Sequence, residues 1–462
     1  MNLHFFYALF LCVMMLSLTG CGDDGNDSSS VVDSVVSSIT LSEEQIDVEE
    51  RMDSASFKGG QSLDLVAGVG SGAFHSPNDP NDEFYTVTDR GPSIDCGDSK
   101  ALLGMDDFCL DNGVVDEDGK IFAMPNFTPT IYKFNIDTGG AIGAKVGYQI
   151  MQAIKLMDRD DNLITGLPNP LQGMTTENGY DTNGNKLTFD PEGIDPEAII
   201  KLSNGTFWLA EEYAPSLVHV TANGRILERI VPTSVETDLA DANYRVLGGL
   251  PTILKKRRIN RGIESLALSS DEQFLYFMTE SPLANPDNEA YENSRYVRLF
   301  KISLLQGDFN SVVGEYVYTI DEPETFLADN TNQQSDVKVS DMLALETDRL
   351  IIVERVLRHT KLYRVSLDDA TNILDTEWDI EATTSSAKAL EKLDNLADWG
   401  IIPLGKNLVF DSRREISDLP SQIEGIALLN SQYLVFINDN DFGIDGAKTR
   451  IRVTKIAGQL NQ

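Results

Sequence analysis

The chain has 462 residues, with 73 acidic against 37 basic side chains and a formal net charge of −36. Such a balance excludes a surface built for nucleic acid, because phosphate backbones reward basic faces. It favours cations as ligands, with a merely solvated acidic face as the alternative, and the length allows one large domain or two smaller ones.

In chain order, the first element is the apolar run FFYALFLCVMMLSL (5–18), followed by LTGC (18–21). Fourteen residues suit a signal-peptide core better than a membrane span, which needs about twenty. Thr19-Gly20-Cys21 is similar to a bacterial lipobox, so residues 1–20 are expected to be removed and Cys21 to carry a lipid. The usual positive n-region is missing, and a plain secretory signal is the alternative. Gly22 after the cysteine points to an outer-membrane anchor facing periplasm or exterior. The Ser/Asp-rich segment that follows cannot bury enough surface to fold and reads as a tether over 21–50. The remaining chain, 51–462, carries the fold. Of the four cysteines, Cys12 lies in the signal and Cys21 at the lipid site. Cys96 and Cys109 share a Gly/Asp-rich loop and are expected to form a local disulfide rather than a two-thiol metal site.

From here the chain repeats itself. Acidic turns stand before short apolar runs at DPEGID (190–195), GIESLAL (262–268), SDMLAL (340–345) and IEGIALL (423–429), about 72, 77 and 83 residues apart. Each is followed by a strand of aromatic and β-branched residues ending in an acid, then by a third strand of alternating pattern such as LYRVSL (362–367). A weaker copy begins at GSGAFHSPNDPNDEFYTVTDRGP (70–92). These are strand signals with turn punctuation. Strands repeated in such units predict an all-β protein, a β-propeller of five or six blades, with a β-sandwich or parallel β-helix as the alternative. The strand SLDLVAG (62–68) is expected to close the ring against the C-terminal strands. SSAKALEKLDNLADWG (385–400) is the one expected amphipathic helix.

In a propeller, equivalent positions of the first strands face one axis. Glu192, Glu264, Asp341 and Glu424 take that place in this alignment, with Asp439 at the end of a second strand. Carboxylates around one axis repel unless a cation sits among them, and hard oxygen ligands select Ca²⁺. The alternative is that each acid caps a turn. Second strands end in Asp89, in Glu211 and Glu212, in Glu280 and in Glu354, near one rim of the ring; Glu211, Glu212, Glu280 and Glu354 are the candidates for a general base, and Asp89 is a candidate to bind substrate. Arg90 follows Asp89, and the one dense basic run, KKRRINRG (255–262), leads into the Glu264 turn. Arg90, Arg261 and Arg298 are therefore candidates to hold an anionic substrate, a phosphate ester above all; a solvated loop is the alternative for the basic run. No G-x-S-x-G elbow, H-E-x-x-H pair or glycine-rich phosphate loop is present, so hydrolysis would rest on carboxylates, arginines and a metal.

TVTDRGP, NRGIESLAL, FMTESPL, RYVRLFKI, IEGIALL and NDNDFG together resemble the bacterial phytase-like family described as having esterase-like activity, over roughly residues 58–457. The resemblance implies a β-propeller and a hydrolase of phosphate or related esters. A more distant likeness joins the E-G turns to calcium-binding lactonase-type propellers. It implies Glu192 and Glu424 as Ca²⁺ ligands; Glu264 and Asp341 depart from that pattern, being followed by Ser265 and Met342. The expectation is an exported, lipid-anchored, monomeric propeller that binds Ca²⁺ and hydrolyses a small anionic ester. A non-catalytic binding propeller and a lactone or carboxylic-ester hydrolase with the same metal are the alternatives.

Overall fold

Short β-branched and aromatic runs separated by Gly/Asn/Asp turns pair most readily with their neighbours in sequence, and most do so here as successive meanders. A computed structural model of the chain describes residues 45–137, 147–305, 310–385, 388–430 and 432–460. Among these, five sheets of four or five strands follow one another. The first holds Ala73–Phe74, Glu83–Val87, Thr130–Asp137 and Gly147–Lys155. The second starts at Pro196–Lys201, the third at Ile263–Leu268, the fourth at Lys338–Glu346 and the fifth at Ile423–Leu428. These five leading strands touch in a cycle: first against second, second against third, and so on until the fifth meets the first. That cycle is a β-propeller with the leading strands around its axis. Apolar side chains fill the seams between blades, as where Ile351 and Phe410 of the fourth meet Ile426 and Phe436 of the fifth.

The ring closes differently from the sequence expectation. Gln45–Val48 pairs antiparallel with Thr449–Thr454 and becomes the outer strand of the last blade. It lies inside the segment expected to be a tether. Ser62–Leu63 instead forms a two-residue hairpin with Ala55–Ser56. The alternating pattern of QIDV, with Ile46 and Val48 buried, is what decides the closing strand. Starting the chain at residue 49 is expected to cost about 3–6 kcal/mol, from exposing those two side chains, and to lower the urea midpoint accordingly. The expected helix at 385–400 is absent. Its described residues form only the 3-10 turns Leu390–Lys392 and Leu396–Trp399, with Leu390 and Leu396 buried in a small cluster around Trp378. Cys96 and Cys109 are joined in a disulfide, as expected. Cys21 lies outside the described residues. No helix among the described residues is long and apolar enough to cross a membrane.

One local feature recurs in the leading strands and positions the site. The register against the second strand slips by one residue between Pro196 and Ala198, Ile263 and Ser265, Val339 and Asp341, and Ile423 and Gly425. Each slip is a β-bulge near the start of the strand, and a bulge re-aims the extra side chain. The bulged residues are Glu197, Glu264, Ser340 and Glu424.

Candidate functional site in the channel mouth

The bulged acids converge on one cavity of about 300 Å³ at one end of the axis, lined by Glu197, Glu264 and Glu424. Residues at or just past the ends of the second strands join them: Glu212 in the second blade, Glu280 in the third, Arg355 in the fourth and Asp439 in the fifth, with Asp89 and Arg90 from the first. Eleven carboxylates and five cationic side chains line this space. The ring is not uniform. Its fourth blade replaces the bulged acid with Ser340, whose Oγ donates to the Ile423 carbonyl at 2.8 Å, and contributes Lys338 and Arg355 instead.

Two overlapping groups of acids bring carboxylate oxygens within 4.8 Å of one another: Asp195, Glu197 and Glu212, and Glu212, Glu264 and Glu280. All five side chains are buried. Gly262 lets Glu212 into place, since a Cβ there would lie 2.4 Å from the Glu212 carbonyl oxygen. Cations hold one flank. Arg90 reaches Glu177 at 2.8 Å, Asp195 at 2.6 Å, Glu212 at 2.7 Å and the Asn260 side-chain oxygen, Oδ1, at 2.5 Å. Arg261 and Lys338 each lie 2.8 Å from a Glu280 oxygen, and Arg355 pairs with Glu424. The carboxylates of Glu197 and Glu264 receive no hydrogen bond and no ion pair among the described residues. Asp439 Oδ1 is buried without a hydrogen-bond partner.

Burial dominates the electrostatics. It pushes the Glu197 carboxyl well above its ordinary range, and the charges of Asp195 and Glu264 add to it. Glu264, Asp195 and Asp439 rise in the same way. Asp89 is pushed up to about 7 by burial, held from rising further by Arg90 and the Gly91 N–H. At Glu280 burial also works upward, but Arg261 and Lys338 outweigh it and hold the carboxyl low. Unpaired buried carboxylates facing one another are the donor set of a hard cation, so this cluster can hold a metal ion, and its all-oxygen chemistry fits Ca²⁺.

Of the acids expected to hold the ion, Glu264, Glu424 and Asp439 line the mouth, and Glu192 and Asp341 do not. Glu192 sits five residues before the bulge and accepts the Asn243 N–H. Asp341 sits one residue past it and accepts the Met342 and Ile426 N–H groups at 2.8 and 2.7 Å, tying blade four to blade five. Of the expected bases, Glu212 and Glu280 line the mouth. Glu211 is held by Arg229 at 2.7 Å, both fully buried, and Glu354 by Tyr318 at 2.5 Å and Lys406 at 2.6 Å. Asp89, Arg90 and Arg261 are at the site, while Arg298 is buried between Glu315 and Glu391 at 2.5 and 2.7 Å. The sequence reading missed Asp195, Glu197, Lys338 and Asp441. The available signal was spacing: Glu197 precedes Glu212, Glu264 precedes Glu280 and Glu424 precedes Asp439 by about 15 residues each.

An uncharacterized secreted protein of Arthroderma benhamiae is 23% identical over 298 residues, 55% of this chain and 56% of that protein. The chain thus spans about half the length of this curated relative. Among solved structures, a periplasmic gluconolactonase of Pseudomonas aeruginosa overlaps 89% of this chain and 99% of its own, at 10% identity and a TM-score of 0.32. The PQQ-bound aldose sugar dehydrogenase of Streptomyces coelicolor overlaps 90% and 99%, at 9% identity and a TM-score of 0.31. Likeness at these scores bears on neither substrate nor mechanism. The family model described as esterase-like activity of phytase matches residues 114–442, most of the propeller and most of its acidic mouth. The chain belongs to this phytase-like family.

Proposed function

We propose that the chain is a calcium-dependent hydrolase of phosphate esters, exported and anchored to the cell envelope through Cys21. The observation that carries the catalytic part is the asymmetry of the mouth: partnerless buried acids from blades two and three beside Lys338 and Arg355 from blade four. The family supports an ester hydrolase, and the anchor rests on the apolar run 5–18 before Thr19-Gly20-Cys21.

Asp195, Glu197, Glu212, Glu264 and Glu280 would hold the ion. A bound Ca²⁺ supplies charge neutralisation to phosphoryl oxygens and makes water more acidic. The chain's own residues do the rest. Arg261 and Lys338, each 2.8 Å from Glu280, and Arg355, paired with Glu424, stand beside these acids as charge-assisted donors for the remaining phosphoryl oxygens. Arg90 is fully engaged with carboxylates and positions Asp195 and Glu212. Asp89, half-buried at the mouth and poised near neutral pH, is suited to take up a proton from water and release it.

The test is hydrolysis of an aryl phosphate by the purified chain, with Ca²⁺ and with chelator. Turnover that needs Ca²⁺ is expected. Arg261→Ala is expected to lower kcat by about 10²-fold, the scale of losing one charge-stabilising donor. Activity absent, or indifferent to the chelator, overturns the metal-dependent mechanism. Turnover of lactones in place of phosphates overturns the substrate class.

A further inference from the structure

A second cavity of about 620 Å³ opens beside the acidic mouth, and the two share Asn260 and Arg261 as a sill. Asn260 occupies the left-handed backbone region at φ 56°, a conformation Asn tolerates better than most residues. Its side-chain oxygen accepts from Arg90 on the mouth side. Arg261 pairs with Glu280 in the mouth and donates through Nε to the Tyr291 hydroxyl, on the side of the second cavity, at 3.2 Å. A group held by Arg261 in the mouth therefore has its other half in the larger cavity.

The chemistry of that cavity is specific. Its wall carries the amides of Asn260, Asn293, Asn332, Gln333 and Gln334 together with Ser335. Each amide both donates and accepts, as does each hydroxyl of a polyol. Among the described residues its one aromatic side chain, Tyr291, is buried, and these offer no open ring face to an aryl or apolar leaving group. Its charges are Arg258 and Arg261 against Glu292, Glu322 and Glu324, and the adjoining mouth is more acidic still. A second or third phosphate placed there would meet a net negative wall.

We propose that the alcohol half of the substrate is an uncharged, hydroxyl-rich group bound in this cavity, making the substrate a sugar or polyol monophosphate and not a polyphosphorylated ring such as phytate. The inference rests on the phosphate-ester reading of the mouth and deepens it.

The test compares three substrates in Ca²⁺: a hexose monophosphate, phytate and an aryl phosphate. The hexose monophosphate is expected to give the highest kcat/KM and phytate the lowest. The double variant Asn332→Ala, Gln333→Ala alters exposed side chains with no bonds to the rest of the fold among the described residues. It is expected to raise KM for the hexose ester about tenfold, two hydrogen bonds' worth, and to leave the aryl ester unchanged. Phytate turned over as well as the hexose ester, or equal losses on both monophosphates, overturns the proposal. If no ester is turned over, the aryl phosphate included, the hydrolase reading fails separately. Calorimetric titration with the hexose monophosphate then decides: binding by the parent chain, weakened in the double variant, supports the cavity's role, and no binding by the parent overturns it.

Discussion

Calcium is expected to raise the melting temperature of the purified chain, and to raise it more at pH 8 than at pH 5. The cause is the population of buried carboxyls. Glu197, Glu264, Asp195 and Asp439 are pushed above the ordinary carboxylate range by burial, and Asp89 to about 7. A raised folded-state pKa means that the folded chain binds protons the unfolded chain has released. The stability this contributes is complete below the unfolded value near 4 and is lost as pH rises through the folded values, Asp89 marking a midpoint near 7. Glu280, held low by Arg261 and Lys338, and Asp95, held low by Lys120, act in the opposite sense, but their contribution is complete above the unfolded value near 4 and so is constant from pH 5 to pH 8. The ion-free chain should therefore lose stability from pH 5 to pH 8. The cation binds the deprotonated form and reverses this. At a free concentration a hundredfold above its dissociation constant it adds about 2.7 kcal/mol. Scanning calorimetry in Ca²⁺ and in chelator at both pH values measures the difference. An ion-free chain whose melting temperature is flat or rising over this range, or a Ca²⁺ increment equal at both pH values, defeats the assignment.

The ring was legible in the sequence because its signal is long. Strand, turn and acid-ended strand recur over hundreds of residues, and no single misreading removes the pattern. The axis positions were less legible because a β-bulge inserts a residue where alternation is being counted. Counting alternation through the bulge puts Asp341 at the axis, one residue out of place, and one residue turns a strand's side chain to the other face. Its neighbour Ser340 holds the bulge. Glu192-Gly193 matches Glu424-Gly425 in sequence and stands out where Glu197 does not. Yet Gly425 answers to packing: a Cβ there would lie 2.9 Å from the Ala73 Cβ of the first blade. Arg298 and Glu354 drew attention as charges within strands. Their partners come from far along the chain, Glu391 being 93 residues from Arg298 and Lys406 being 52 from Glu354, and nothing local announces them. Charges in buried strands mark either a site or a closed pair, and only the tertiary partner tells which.

Glu211 and Glu212 test that distinction with two adjacent residues. Glu211 ends the second strand of the second blade and Glu212 follows it, and strand alternation sends them to opposite sides. Glu211 accepts from Arg229 and Ser216 at 2.7 and 2.8 Å, and from the Asp195 and Tyr213 N–H groups at 3.3 and 2.8 Å. Arg229 is fully buried with it. Glu211→Ala would strand that guanidinium, and breaking a buried pair from one side costs about 3–5 kcal/mol. The loss is expected with or without Ca²⁺. Glu212 stands instead in both groups of clustered acids. Glu212→Gln keeps the side chain's shape and its capacity to accept from Arg90, and it removes one charge from a cluster with too many. The ion-free variant is therefore expected to melt within about 1 kcal/mol of the parent, the scale of one altered hydrogen bond, while the Ca²⁺ increment and aryl phosphatase activity disappear together. Denaturant titrations of both variants with and without Ca²⁺ separate the outcomes. A Glu212→Gln chain that keeps its full Ca²⁺ increment would remove Glu212 from the metal site. A Glu211→Ala chain as stable as the parent would show that the Arg229 pair is dispensable to the blade.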